Sequence, residues 1–316
     1  MSETTRRSKG GKAYAVRRGA PPPMSFFDEA RPPAGDRSIE IRLGRIRIVL
    51  GGLDAALDRA LLERYGPYAS AGAGTEDALR VSLSIDERDY FLEPPGQAEF
   101  NPVFLECEGT RVRYVGYRVA GWFDAVPEGG RGALVLARGS YEPEVRAIEN
   151  FVRAAVAWRA AASGGALVHA ASAVRRDRGY LFYGESGAGK STLSAASRRG
   201  AVVSDDLSLV LPGEAGLELV GSPFRGTYEG GAAVVGSFRL AAGFRIVQAD
   251  RARVRPAPRA LLLAGLIGNL PFVAEEFRRR PDLFEDVERA FAAVPLAYLD
   301  FRKDDSYWDA IEEAGL

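Results

Sequence analysis

The sequence predicts an α/β fold, mixed α+β in its layering, with a mostly β N-terminal region followed by a phosphate-loop domain. Three observations predict it. Short runs of alternating apolar residues fill 38–140, separated by Gly, Pro and acidic turns. Tyr141 to Ala162 then repeats Val145, Ile148, Val152, Ala155, Val156 and Ala160 at helical spacing. Beyond it, an apolar run, Gly179 to Tyr183, leads through a glycine-rich turn into the helix formers Ser191 to Arg199.

Residues 1–37 read as a disordered, solvated tail: Arg6, Arg7, Lys9, Lys12, Arg17 and Arg18 precede Pro21-Pro22-Pro23 without periodicity. The first domain spans 38–140. Ile39, Ile41, Leu43, Ile46 and Ile48 predict a hairpin bending near Gly44. Leu53 to Arg64 predicts a short helix, and Leu79 to Ile85, Arg111 to Phe123 and Ala133 to Ala137 predict strands. The region carries no chemical constellation and serves either as a recognition domain or as a brace for the second half. A connecting helix, 141–163, begins with Glu142 and Glu144 where the helix dipole favours acids, and stops at Ser163-Gly164-Gly165. The second domain, 164–316, starts with the strand Ala166 to Val174. After the loop helix, Ala201 to Val203 predicts a strand ending in Ser204-Asp205-Asp206.

Composition narrows the functions. The chain has 316 residues, enough for one large domain or two ordinary ones, and 47% apolar with 27% charged content is that of a soluble globular protein. The 42 basic and 42 acidic residues cancel, so no nucleic-acid partner is implied. A single cysteine, Cys107, allows no intrachain disulfide and no cysteine-based zinc cluster, and it fits a reducing cytoplasm. The most apolar run, Ala260 to Ala274, holds Asn269 and Pro271 and is too short to span a bilayer. The N-terminal stretch lacks the apolar segment of a secretory signal. The expectation is a cytoplasmic protein with no membrane partner. Arg278-Arg279-Arg280 and the Arg251 to Arg259 run read as solvated faces, and Tyr298, Phe301 and Trp308 as packing for the last strand and helix.

Gly184, Glu185, Ser186, Gly187, Ala188, Gly189, Lys190, Ser191 and Thr192 contain the phosphate-binding pattern G-x-x-x-x-G-K-[ST] between strand and helix. Its glycines permit backbone conformations that let N–H groups converge on a polyphosphate. Lys190 is suited to meet the β- and γ-phosphates and the Ser191 hydroxyl to ligate magnesium. Only four of the 42 basic residues are lysines, so a lysine at this position of an arginine-dominated chain is informative: a compact ammonium differs from a planar guanidinium in what it can fit. The expected ligands are ATP and Mg2+. Asp205 and Asp206, at the end of a strand beside this loop, are placed to hold magnesium or to accept a proton.

VHAASAV, GYLFYGESGAGKST and RRGAVVSDDLSLV together resemble the HPr kinase/phosphorylase family and its relatives. The likeness covers roughly His169 to Val210 and continues weakly through Ser222-Pro223-Phe224-Arg225-Gly226 and the terminal VPLAYLDF segment. It implies a phosphoenolpyruvate-carboxykinase-like fold for the second domain, with ATP held by Gly184 to Ser191 and the metal on Ser191. It implies further that His169 is the family's histidine ahead of the loop strand, with a role touching the γ-phosphate. Asp205 and Asp206 match an acidic pair, one member taking the proton of a substrate serine and the other, assigned as Asp206, facing magnesium. Arg225-Gly226 matches the arginine–glycine of a signature whose glutamate position is Pro223 here, with Glu229 as a substitute. His169, Lys190, Asp205, Asp206 and Arg225 are the catalytic candidates.

The resulting expectation is a magnesium-dependent kinase acting on a serine hydroxyl of a protein or peptide, with homo-oligomers common in such a family. The alternatives are a nucleotide-binding sensor or scaffold without transfer, and a small-molecule kinase or a carboxykinase on the same fold.

Overall fold

A computed structural model of the chain describes residues 21–72, 74–92, 103–226, 228, 230–273 and 281–316, with the side chains of 281–284 excepted. The basic N-terminal residues, Glu229 and Arg278-Arg279-Arg280 lie outside the described residues. The fold is mixed α/β and separates into two compact units, 1–156 and 157–316.

In the first unit, β1 (Arg37–Leu43), β2 (Ile46–Leu53), α1 (Ala55–Tyr65), β3 (Ala69–Ala71), β4 (Leu79–Asp86), β5 (Phe104–Glu108), β6 (Arg111–Val115), β7 (Val119–Asp124) and β8 (Arg131–Ala137) follow in order. The strands form one sheet, β3-β1-β2-β4-β8-β7-β6-β5. β4 runs parallel to β2 and β8, and the other neighbours are antiparallel. The expected hairpin turns at Gly44, whose φ of 59° suits a residue without Cβ. α1 starts two residues later than periodicity suggests, because Leu53 closes β2 and the Asp54 carboxylate caps the helix through the amides of Ala56 and Leu57. The run Arg111 to Phe123 is two strands rather than one, since the Gly116 amide donates to Val119 O and closes a turn inside it.

The expected tail also needs correction from Pro21 onward. Phe26 is fully buried, stands edge-on to Phe91, and has the Arg31 guanidinium 3.9 Å above its ring. Arg31 donates to Asp86 Oδ2 at 3.0 Å. A single helical turn between extended segments leaves no periodic trace, which is why the sequence conceals this packing.

α2 (Glu144–Ala162) carries the boundary between the units, which falls inside the expected connecting helix. It ends in a Schellman motif: Gly165 N donates to Ala160 O, Gly164 N donates to Ala161 O, and Gly164 has φ of 74°.

The second unit contains β9 (Ala166–Arg175), β10 (Arg178–Tyr183), α3 (Lys190–Ala196), β11 (Ala201–Ser204), β12 (Leu207–Gly213), β13 (Gly216–Val220), β14 (Ser237–Gln248), β15 (Arg253–Arg255), α4 (Arg259–Ile267), α5 (Pro281–Phe291), β16 (Leu296–Phe301) and α6 (Tyr307–Glu313). β10 lies between antiparallel β9 and parallel β14, with β16 and β15 continuing the sheet. The other edge of β9 is shared: β12 pairs with its first half and β11 with its second. The β12–β13 hairpin makes a second route from β9 to β14.

Side-chain alternation on β10 builds both layers. Tyr180 and Phe182 join Phe244, Leu299, Leu193 of α3 and Tyr307, Trp308 and Ile311 of α6 in one apolar core. From the opposite face, the buried Tyr183 hydroxyl donates to Leu262 O of α4 at 2.9 Å. Phe301 and Trp308 are therefore core residues, as expected. The Arg251 to Arg259 run is less solvated than expected: Arg255 grips Asp300 with two bonds, 2.7 and 2.8 Å, and Arg259 donates to the carbonyls of Val294 and Phe291. No helix among the described residues is long and apolar enough to cross a membrane.

Candidate functional site

Strand register brings the candidate residues together. Tyr183, the last residue of β10, pairs with Ala170, so the turn opening at Gly184 rises beside His169. Ser204 pairs with Ser172 and Leu207 with His169, so the chain crosses from β11 to β12 opposite Ala170 and Ala171. Asp205 and Asp206 occupy that crossing.

The turn is built on glycine conformations. Gly187 and Gly189 hold φ of 81° and 104°, a region costly for residues with Cβ. A Cβ on Gly189 would stand 2.7 Å from Phe301 Cζ and 2.9 Å from Gln248 Nε2, and one on Gly184 3.0 Å from Ala188 Cβ. α3 begins at Lys190 with no side-chain cap, and Leu193 N is the amide that donates to Gly189 O. Helix geometry therefore leaves the amides of Lys190, Ser191 and Thr192 without intrahelical acceptors. Lys190 is buried, and its Nζ donates to Gly184 O at 2.9 Å and Glu185 O at 3.3 Å, so the ammonium lies across the mouth of the turn. Ser191 is exposed at the helix start, and Glu185 and Ser186 are exposed on the turn.

His169 faces this mouth. Its Nε2 lies 3.4 Å from Asp206 Oδ1, and its backbone N–H donates to Asn269 O at 2.7 Å. Burial, and then the Lys190 charge, hold its pKa below the usual histidine value; Asp206 opposes both. The imidazole is therefore neutral at pH 7. Burial also depresses Lys190, again against the pull of Asp206. Asp206 is thus the carboxylate that faces both nitrogen groups.

Asp205 points elsewhere. It is buried, with Oδ1 accepting from Gly226 N at 2.7 Å and Oδ2 from Tyr228 N at 3.1 Å. The Ser204 hydroxyl shapes the crossing: it accepts from the amides of Asp206 and Leu207 and donates to Phe224 O at 2.6 Å. Arg225 holds the same loop from outside. Its guanidinium donates to Val202, Val203, Gly230, Gly231 and Ala232 carbonyls at 2.9 to 3.4 Å, covering the free edge of β11.

The structure thus gathers Gly184 to Thr192, His169 and Asp206 at one spot. It sets Asp205 and Arg225 behind them, in the scaffold of the 222–232 loop. Sequence reasoning missed four participants. Ser204 is marked only by standing immediately before the two acids. Asn269, which fixes the His169 backbone, lies 100 residues downstream. Arg245 donates to Glu185 Oε1 at 3.2 Å, and Gln248 donates to Gly187 O at 3.4 Å. Both sit on β14, whose parallel pairing with β10 has no local sequence signal.

Lys190, the amides at the start of α3 and the Ser191 hydroxyl supply donors and a metal ligand of the kind a magnesium–nucleotide complex needs, so the residues fit that group. Comparison of the chain with protein-family models and with curated proteins found no match.

Proposed function

We propose that residues 157–316 form a magnesium-dependent kinase domain that transfers the γ-phosphate of ATP to the serine hydroxyl of a protein or peptide. The observation that carries this reading is the convergence of a glycine-built turn and its lysine with the His169–Asp206 pair. It fits a phosphoenolpyruvate-carboxykinase-like fold of the kind that the resemblance to HPr kinases implies.

In this reading Gly184 to Thr192 cradle the triphosphate with backbone amides, and Lys190 leaves the Gly184 and Glu185 carbonyls to meet the β- and γ-phosphates. Ser191 and one oxygen of Asp206 would hold a magnesium ion, which would supply charge neutralisation, with the other Asp206 oxygen as the proton acceptor. Asp206 accepts the proton as the serine oxygen forms its bond to phosphorus and the bond to the β-phosphate oxygen breaks. Neutral His169 hydrogen-bonds and orients that carboxylate without adding a competing charge. Asp205 and Arg225 hold the adjoining loop in shape.

Replacing Asp206 with Asn keeps the shape and removes the charge. Turnover with a serine peptide should fall by about 10²–10⁴-fold while the fold is retained. Wild-type turnover in a folded Asp206→Asn protein contradicts the assignment. A second reading, a nucleotide-binding sensor without transfer, is favoured by Arg225, whose donors are all directed to backbone carbonyls. Saturable magnesium–ATP binding with no ADP release across serine peptides and small alcohols would select it.

A further inference from the structure

The turn between β9 and β10 lies at the opposite end of β10 from the phosphate loop, about 17–20 Å away along a six-residue strand. It concentrates positive charge in an unusual way. Arg175 and Arg178 are direct cross-strand partners, and Arg176 projects from the two-residue turn between them. Arg176 and Asp177 both have positive φ, 50° and 60°, the primed geometry that hairpins prefer but non-glycine residues adopt at a cost. Like charges placed directly opposite destabilise an antiparallel pair.

These arginines line a cavity of about 340 Å³ walled by Tyr180, Trp308, Ile311 and Leu316. Glu312 is the lining carboxylate, and it accepts from both Arg175 and Arg176. Asp309, one turn earlier on α6, is taken by Arg199 at 2.5 Å. Among the lining side chains three guanidinium groups thus meet one carboxylate, with Asp177 and Asp309 the other acids nearby. Moreover, Arg175 has a side chain only 11% exposed, and its Nη1 is buried without a hydrogen-bond partner. A buried charged donor left unpaired is costly, and a ligand oxygen would remove that cost.

We propose that this cavity is a second binding site, independent of the phosphate loop, for a small dianionic phosphate group. Its two charges balance the arginine excess. Its tetrahedral oxygens accept from the exposed heads of Arg176 and Arg178, and from buried Arg175 Nη1 once that guanidinium turns toward the cavity. Leu316 is the accessible apolar wall, and Trp308 and Ile311 form the buried floor beneath it. Occupancy has a built-in reporter, because the Arg175 guanidinium lies 5.1 Å above the Trp308 ring. The Trp308 indole also donates to Ser197 Oγ, just past the end of α3, so the cavity wall touches the helix that carries Lys190.

The test titrates the full chain with inorganic phosphate against chloride at constant ionic strength, by calorimetry and by tryptophan fluorescence. Arg176→Gln/Arg178→Gln changes two exposed residues, and Arg178→Gln alone serves if the pair impairs folding. Lys190→Ala reports on the phosphate loop. The expected result is saturable phosphate binding that survives Lys190→Ala and weakens about tenfold or more in the arginine variant. Absence of saturable binding, a weakening below that in the arginine variant, or loss of binding in Lys190→Ala overturns the proposal. The last outcome would leave the phosphate loop as the binder, so the two sites are told apart.

Discussion

Asp205 sends its carboxylate inward to two backbone amides, whereas Asp206 turns toward His169 and Lys190, so neighbouring acids have separable roles. Asn at 205 keeps one acceptor oxygen and loses the charge, which for charge-assisted bonds costs about 1.5–3 kcal/mol. Asp205→Asn should therefore lower Tm by several degrees, and any loss of turnover should track the loss of the Gly226 and Tyr228 amide bonds. Should Asp205→Asn abolish turnover at unchanged Tm, the base would be Asp205 and the division drawn between the two acids would be wrong. His169 gives a pH prediction at the same scale. Its folded pKa lies below the ordinary 6.5, chiefly through burial and then through Lys190. The unfolded chain therefore takes up a proton first as pH falls through 6.5, and the native state loses stability from there down to the lowered folded value. His169→Gln cannot titrate, so denaturant melts at pH 7.5 and 5.5 should differ less for the variant than for the wild type. Equal differences in both proteins would mean that the imidazole is not desolvated.

The loop and its flanking elements make a sharper demand on backbone geometry than on side chains. Gly189 combines φ of 104° with contacts of 2.7 and 2.9 Å to the atoms a Cβ would meet, while Gly187, at φ of 81°, opens onto empty space. Gly187→Ala should cost about 1–2 kcal/mol of backbone strain alone, and Gly189→Ala should cost more and weaken magnesium–ATP binding further. Thermal melts and calorimetric titrations of the two variants test that order; the reverse order would show that the turn is not held by Phe301 and Gln248. The same element shows what was legible in the chain. Gly184, Gly189 and Lys190 mark a strand–turn–helix locally, and β9, β10, β11 and α2 declare themselves by apolar runs of the right length. α3 ends at Ala196, three residues before the helix-forming run does, because Ser197 turns extended and donates to Gly200 O. β12, β13 and β14 escaped because their pattern has meaning only once β9 and β10 supply partners. The use of Arg225 was equally hidden, since its type fits a phosphate as well as a row of carbonyls. Only the nearness of the β11 edge decides between them.

At the scale of the molecule, the chain divides within α2, and each part builds a sheet of its own topology. The first unit carries no cluster comparable to the His169–Asp206 pair beside a glycine turn among its described residues, so the proposed nucleotide chemistry belongs to residues 157–316. A ligand that binds only the folded state stabilises it by about 2.7 kcal/mol at one hundred times its Kd, and the protection should appear where its contacts are. Hydrogen exchange with and without magnesium–ATP should therefore slow the amides of 184–193, with smaller effects at 169–171 and 204–207, which share strand register with the loop. Amides of β1 to β8 should exchange at unchanged rates, because their ladders close within the first sheet. Protection confined to β1–β8, or none at the Gly184 turn under saturating nucleotide, would remove the basis for assigning phosphate chemistry to the second unit. Protection at the turn that is lost in Lys190→Ala, with the arginine cavity at the far end of β10 unaffected, would tie the nucleotide to the one buried ammonium that the fold sets across the mouth of that turn.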